Sequence, residues 1–206
     1  MHEDTRALPL RLKSATREWH ARAERSGVMA ALLAGTLSRE SYVALLANLR
    51  ALYAELEPQL QSMHPSWVLQ TRLTREPALA ADLHAWGAGP ARLVQATHQY
   101  RERLRELHGP LAHRLWAHVY VRYLGDLHGG QLLSRQVRRL YGPSVSVRFY
   151  DFGSSEQVHG LREALREQLA SLALEVTQAD EVVAEAVSAF EAHCRMFEEI
   201  GGATAG

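Results

Sequence analysis

Hydrophobic and polar residues recur along this chain mostly at intervals of three and four, which is the spacing of residues on one face of an α-helix. Ala, Leu, Glu, Arg and Gln dominate the periodic stretches, and the β-branched residues typical of strands are scarce. The pattern therefore predicts an all-α protein. We expect one domain over residues 1–206, with residues 1–9 as a flexible N-terminal segment.

The first two predicted helices are bounded by recognisable start and stop residues. The first runs from about Leu10 to Arg25, and Gly27 is expected to stop it. The second begins after Ser38, whose side chain can cap the helix, and continues to Leu56. Pro58 should kink or end this second helix, because proline lacks the backbone N–H that a helix interior needs.

Five further helices are predicted in the rest of the chain, and residues 64–76 are predicted to be irregular. The helices are expected at Pro77–Trp86, at Pro90–Leu107, at Pro110–Leu140, near 155–173 and near 178–200. Thr177 is expected to cap the last helix and Gly201 to stop it.

Three glycines interrupt the long predicted helix. Gly125, Gly129 and Gly130 each cost about 1 kcal/mol of helix stability relative to alanine, so some gain should offset them. Gly125 and Gly129 lie four residues apart and share a face of bare backbone. Either a second helix or a flat ligand could pack there. The polar residues Asp126 and His128 lie beside this bare face, which favours a ligand-binding site over helix packing.

Composition and charge exclude several classes of protein. The 206 residues contain 23 basic and 23 acidic side chains, so no overall positive field would attract nucleic acid. A single cysteine, Cys194, cannot form an internal disulfide, and no apolar run reaches the roughly 18 residues that span a membrane. The first residues lack the apolar core of a secretion signal. We therefore expect a cytoplasmic protein.

Two separate segments resemble the biliverdin-producing heme oxygenases. Tyr120–Gln131 reads YVRYLGDLHGGQ and resembles the distal helix of that family, where the pattern is RYLGDLSGGQ. Leu12–Glu24, around His20, is similar to the family's proximal helix, and the resemblance covers nearly the whole chain, more loosely at residues 60–110. It implies a heme oxygenase fold that holds heme between a proximal helix and a kinked, glycine-rich distal helix.

On the proximal side, the resemblance implies that His20 is the axial ligand of the heme iron. The chain has 11 histidines, and any one of them taken alone is more often a surface or core residue than a ligand. Glu24 lies one helical turn after His20 and could accept the other ring N–H, which would orient the imidazole.

On the distal side, the resemblance implies that Asp126 holds water and supplies protons to dioxygen. Gly125 and Gly129 would bend the helix over the heme, and Arg122 would extend the water network. The alternatives are a solvated acid for Asp126 and a plain surface salt bridge for Arg122. His128 stands where the family usually has serine.

The two heme propionates need cations and hydrogen-bond donors at the mouth of the site. Lys13, Arg162 and Arg166 match the family's basic positions, and Tyr120 would donate a hydroxyl hydrogen. Three more residues, expected to line the pocket, are Gly130, Phe190 and Met29. For the charged residues the alternative is solvated surface charge, and for the apolar residues it is ordinary core packing.

The resemblance also implies the reaction and its partners. Heme b would be both cofactor and substrate, and dioxygen would open it to biliverdin, carbon monoxide and ferrous iron. No flavin or nicotinamide fingerprint is present, so electrons should come from an external reductase or ferredoxin. A phytochrome could accept the biliverdin. The sequence does not distinguish iron acquisition from chromophore supply, nor one biliverdin isomer from another.

Two other functions compete with this interpretation. A non-catalytic heme carrier or sensor could use the same fold, with turnover lost through His128, although residue 128 is expected to lie off the face of Gly125 and Gly129. A diiron protein would need two Glu-x-x-His motifs on facing helices, and the sequence does not contain two such motifs.

Overall fold

The computed structural model describes residues 7–64, 73–90 and 92–203. All regular secondary structure within these ranges is helical, so the all-α prediction is confirmed. No helix in the described ranges is both long enough and apolar enough to span a bilayer.

The α-helices are numbered here in chain order. They are α1 (Leu8–Ala23), α2 (Gly27–Ala34), α3 (Arg39–Met63), α4 (Glu76–Ala85), α5 (Gln95–Glu106), α6 (Leu115–Val119), α7 (Gly125–Tyr141), α8 (Ser155–Ala170) and α9 (Val176–Ala203). Two 3-10 turns lie at Gly109–Arg114 and Arg148–Tyr150, and one π-helical turn lies at Tyr120–Leu124.

Helix α1 begins earlier than predicted, and α2 was not predicted. Pro9 lies in the first turn of α1, inside the segment expected to be flexible; residues 1–6 of that segment lie outside the described ranges. Gly27 does not stop a helix but begins α2, with a positive φ of 40°. A Cβ atom there would overlap the Phe197 carbonyl of α9, so this glycine allows two backbones to meet.

Helix α3 does not end at Pro58, so of the two predicted outcomes, a kink or an end, the end is wrong. The Ser38 side chain caps its start, accepting the Ser41 N–H at 3.1 Å as expected. The helix then continues through Pro58 to Met63, with Leu56 and Leu60 both buried on its inner face. Burying such a face can outweigh the roughly 3 kcal/mol that an internal proline costs a helix.

The later boundaries also differ from the sequence expectations. Helix α5 begins at Gln95 rather than Pro90, and the single helix expected over 110–140 is divided by the π-helical turn. Helix α9 begins at Val176, so Thr177 is not its cap, and it continues past Gly201. Gly201 packs against the backbone of Gly27, which accounts for a glycine inside the helix.

Helix α9 is the central packing element of the described chain. It packs against α1, α2, α5 and α6, while α3 packs against α4 and α5. This arrangement leaves a cleft between α1 on one side and the π-helical turn with α7 on the other, and Phe190 of α9 also contributes to its wall.

Candidate active site

Two adjoining cavities form the cleft. We name them the outer cavity, of about 390 Å³, and the inner cavity, of about 150 Å³. Both are lined by His20, Val121, Gly125 and Phe190. The outer cavity adds Lys13, Thr16, Arg17, Tyr120, His128 and Arg166, and the inner cavity adds Glu24, Met29, Arg122, Asp126, Gly129 and His193. Most of the predicted site residues therefore meet in one cleft.

His20 lies on α1 where the two cavities join. Its side chain is 55% exposed, and its ring meets that of Phe190 edge-on at 6.0 Å between centroids. Glu24 follows one turn later, and its Oε1 lies 3.6 Å from Nδ1 of His20. This distance is longer than a direct hydrogen bond, but the carboxylate is on the Nδ1 side, which leaves Nε2 for a ligand.

Of the three glycines Gly125, Gly129 and Gly130, the first two face the cleft. A Cβ atom on Gly125 would meet nothing within 4 Å, and one on Gly129 would meet only Leu133 Cδ1 at 3.8 Å. On Gly130 it would instead contact the Tyr150 backbone oxygen at 3.6 Å, and Gly130 lines neither cavity. The placement does not match the expectation that Gly130 touches a ligand; its missing side chain makes room for Tyr150.

The helix irregularity lies before the glycines rather than at them. Helix α7 is continuous from Gly125 through Gly129 and Gly130, and the π-helical turn Tyr120–Leu124 immediately precedes it. Such turns widen the helix by one residue and are frequent at functional sites. The hydrogen-bonding irregularity of this helix therefore lies one turn before Gly125 and Gly129.

Asp126 is buried and held on both carboxylate oxygens. Arg122 Nη2 donates to Oδ1 at 2.8 Å, and the Tyr53 hydroxyl of α3 donates a short hydrogen bond to Oδ2. Only 9% of Asp126 is exposed. Burial raises the pKa of Asp126 above the ordinary aspartate range, and the opposing effects of Arg122 and Tyr53 do not cancel it. A solvated surface acid is excluded for this residue.

Arg122 is likewise no surface residue, since its side chain is 11% exposed. Its Nη1 lies 3.1 Å from Nε2 of His193, on α9. His193 Nδ1 lies 2.8 Å from the Ala189 carbonyl oxygen, which can only accept, so Nδ1 carries the hydrogen and Nε2 accepts from Arg122. Burial, reinforced by the Arg122 charge, lowers the pKa of His193 well below its ordinary value. The buried network therefore contains a neutral imidazole.

The mouth of the outer cavity is basic. Lys13 and Arg17, one turn apart on α1, are exposed, and within the described ranges neither forms an ion pair. Arg166 reaches the cavity from α8. Arg162, which was predicted to join them, lines neither cavity, and its Nε is buried without a hydrogen-bond partner among the described residues.

The Tyr120 hydroxyl is already engaged. It lies 3.2 Å from Oγ1 of Thr16, and that oxygen donates its own hydrogen to the Leu12 carbonyl at 2.8 Å. Tyr120 must therefore be the donor to Thr16. The hydroxyl of Tyr120 ties the π-helical turn to α1, so a donation from Tyr120 to a ligand would have to replace this contact.

His128 is placed differently from the sequence expectation. It is exposed but lines the outer cavity beside Gly125, so it is not turned away from the glycine face. Its Nδ1 lies 2.6 Å from the Leu124 carbonyl oxygen, and its Nε2 lies 3.3 Å from Arg166 Nη2. Both ring nitrogens have protein partners, which argues against His128 as a second iron ligand.

Sequence reasoning missed three residues of the site. Arg17 could have been found from its spacing, since it lies four residues after Lys13 and three before His20. Tyr53 lies on the apolar stripe of α3, where a buried hydroxyl requires a partner. His193 gave no signal, because its contact with Arg122 joins residues 71 positions apart.

The donor set suits one kind of ligand. An imidazole whose Nε2 has no partner among the described residues can bind a metal, two bare glycines admit a flat ring, and the cations at the mouth can pair with carboxylates. The open space beyond Gly125 is where such a ring fits. Fold and site together define an all-helical protein whose cleft is suited to a flat, metal-containing ring with carboxylate groups.

Comparison with known proteins identifies the family. The family model "Heme oxygenase" matches residues 6–199. "Heme oxygenase 1" of Nostoc sp. is 31% identical over 93% of this chain and 85% of its own length, and the heme oxygenase of Porphyra purpurea is 33% identical over 92% and 84%. This chain belongs to the heme oxygenase family.

Solved structures agree with this assignment. The heme oxygenase from Leptospira interrogans superposes with a TM-score of 0.85 at 28% identity, covering 94% of this chain and all of that one. Heme oxygenase-1 from Synechocystis sp. PCC6803, solved in complex with heme, gives 0.87 at 26% identity, with coverages of 96% and 94%. The protein is therefore an enzyme of the heme oxygenase class, and a non-catalytic carrier is not favoured.

Proposed function

We propose that the cleft binds heme b as both cofactor and substrate, and that the enzyme opens it with dioxygen to biliverdin, carbon monoxide and ferrous iron. The observation that carries this proposal is that His20 and the bare backbone of Gly125 line the same two cavities. When bound, heme supplies the iron that activates dioxygen and the ring that is oxidised. His20 would bind that iron through Nε2.

The basic mouth of the outer cavity would hold the heme propionates. Lys13, Arg17 and Arg166 supply three positive charges at the cavity that His20 also lines. Lys13 and Arg17 can move to meet a carboxylate, since both are exposed and unpaired in the described structure. Arg17 replaces Arg162 in the set we propose, because Arg162 lines neither cavity.

Asp126 would position water in the inner cavity and exchange protons with it. Arg122 and Tyr53 fix its two carboxylate oxygens, so a water molecule held by it would have a defined position. Its raised pKa brings the carboxyl closer to the solution pH, which makes a proton easier to take up and release. The neutral His193 would keep Arg122 in place.

Electrons would come from a separate protein, either a reductase or a ferredoxin, because the sequence has no flavin or nicotinamide fingerprint. A phytochrome could receive the biliverdin. We propose the cytoplasm as the location, because the chain has a single cysteine and therefore no internal disulfide.

Hemin titration followed by turnover tests the proposal. We expect the purified protein to bind one equivalent of hemin with an intense Soret band. With a ferredoxin and its reductase in air, that band should decay as a biliverdin absorbance grows. No stoichiometric uptake would contradict the binding site, and stable uptake without biliverdin would contradict the reaction.

A further inference from the structure

His128 holds one of the basic residues at the mouth of the cleft. Its Nδ1 lies 2.6 Å from the Leu124 carbonyl oxygen, which can only accept, so Nδ1 carries the ring hydrogen. Nε2 is then the acceptor, and it lies 3.3 Å from Nη2 of Arg166. The contact joins α7 to α8 across the mouth of the outer cavity.

The charge state of His128 fits this arrangement. Partial burial of its ring lowers the pKa of His128, and the nearby charges of Arg162 and Arg166 lower it further, while the hydrogen bond to Leu124 opposes them. The imidazole is therefore neutral at neutral pH and can accept the Arg166 hydrogen. Serine, which the resembling distal-helix pattern has at this position, has a much shorter side chain and would not reach as far.

Arg166 is held from two sides, unlike the other cations of the cavity mouth. Its Nη1 donates to Glu163 Oε1 at 2.5 Å, while Nη2 faces His128. Lys13 and Arg17 form no ion pair within the described part of the chain. One cation of the mouth thus has two partners among the described residues, which restrict its positions, while the two exposed ones have no ion-pair partner there.

A fixed cation has a particular effect on a flat, nearly symmetrical dicarboxylate. Such a ring can rotate in its own plane, and its two carboxylates are the groups through which a protein can select one rotation. Mobile cations can follow the carboxylates to several positions, whereas a fixed guanidinium favours the rotation that brings a carboxylate to it.

We infer that His128 is a positioning residue that fixes Arg166 and thereby selects the in-plane rotation of the bound substrate. The inference rests on the proposed function. Because the rotation decides which bridge carbon of the ring lies beside the inner cavity, His128 would act as a determinant of the biliverdin isomer, through Arg166 and without touching the reacting atoms.

A double-mutant cycle with a redox-inactive substrate analogue tests the contact. The probe is gallium protoporphyrin IX, with its dimethyl ester as the uncharged control, and the proteins are wild type, His128→Ser, Arg166→Ala and the double variant. We expect His128→Ser to weaken binding of the diacid about fivefold, to leave ester binding unchanged and to have no further effect once Arg166 is removed.

His128→Gln is the matched control, because its amide oxygen can still accept from Arg166. It should restore most of the lost affinity. NMR spectra of the ferric heme complexes give a second readout: wild type and His128→Gln should show one predominant set of heme methyl resonances, and His128→Ser a mixture of two. The biliverdin isomers formed should change in parallel.

The outcomes separate the two proposals. Independent, additive effects of His128→Ser and Arg166→Ala, or one unchanged set of methyl resonances in His128→Ser, would overturn the role of His128 while leaving the heme site intact. Failure of the wild-type protein to bind either hemin or the gallium porphyrin would instead overturn the proposed function.

Discussion

The two walls of the cleft are built in different ways. On the α1 wall, His20 lies in α1 and Glu24 directly follows the helix, four residues later, and both side chains are 55% exposed. On the opposite wall, Asp126 is buried and is fixed by Tyr53 of α3 and, through Arg122, by His193 of α9. The α1 wall depends on local helical spacing, whereas the opposite wall depends on the packing of distant helices. Substitutions should therefore affect function alone on the first wall, and function and stability together on the second.

Replacing His20 by alanine should give the largest loss of activity and almost no loss of stability. We expect biliverdin formation to fall to background, because the proposed iron ligand is removed. The free energy of unfolding should change by less than about 0.5 kcal/mol, as is usual for exposed positions. Urea unfolding and single-turnover spectra measure the two effects, and added imidazole should restore part of the activity. Full activity without imidazole would refute the assignment.

Replacing Asp126 by leucine should lower both the stability of the protein and its biliverdin yield. The change leaves the Arg122 charge buried without its partner, which typically costs about 3–5 kcal/mol. Biliverdin yield should also fall sharply, because the proposed proton-exchanging group is gone. The double variant Arg122→Met with Asp126→Leu is the matched control: it should recover most of the stability and none of the yield. If the Asp126→Leu variant were as stable as wild type and gave the same biliverdin yield, Asp126 would have neither the structural nor the catalytic role proposed here.

Replacing His193 by leucine should have an intermediate effect. Arg122 Nη1 would lose its acceptor in a buried site, at a cost of about 1–3 kcal/mol. Asparagine retains an acceptor oxygen and serves as the control. Thermal unfolding and biliverdin yield should rank the proteins wild type, His193→Asn, His193→Leu. Equal yields for the two variants would show that His193 does not act through Arg122.

The same histidine should make stability depend on pH. In the folded protein the pKa of His193 is well below its ordinary value, so between that low pKa and about 6.5 only the unfolded chain binds the proton. The free energy of unfolding should therefore decrease as pH falls below about 6.5, by up to about 1.4 kcal/mol per pH unit from this group. Urea titrations at several pH values, compared with His193→Asn, isolate its contribution. Parallel pH profiles would contradict the prediction.

Replacing Glu24 by glutamine should have the smallest effect. The carboxylate lies 3.6 Å from His20 and both side chains are 55% exposed, so the pair contributes at most about 1 kcal/mol. Hemin affinity should fall less than about tenfold, through a less basic imidazole. Resonance Raman measurement of the iron–histidine stretch reports the change directly. A loss as large as that in His20→Ala would mean that Glu24 does more than orient the ring.

The difference between the two walls also explains which site residues could be predicted from the sequence. His20, Glu24, Lys13 and the missed Arg17 follow one another at helical spacing, so a pattern on a single helix is sufficient to group them. The all-α class followed from the same periodicity.

Contacts between helices that are distant in the sequence could not be predicted from helical spacing. The hydrogen bond from Arg122 to His193 and that from Tyr53 to Asp126 depend on how α3 and α9 pack against the π-helical turn and α7. The exclusion of Arg162, the engagement of Tyr120 by Thr16 and the packing of Gly130 against Tyr150 likewise depend on tertiary neighbours. The π-helical turn has no sequence signature that spacing rules detect.

The π-helical turn also sets how far α6, which precedes it, is rotated about the helix axis relative to α7, which follows it. A chain one residue shorter within Tyr120–Leu124 could still form a helix, but everything before the deletion would be rotated by about 100° about the axis relative to α7. His118, now 1% exposed and hydrogen-bonded to Glu185, would swing out of the core, or Asp126 would leave its partners. The number of residues in the π-helical turn is therefore itself a structural parameter of this protein.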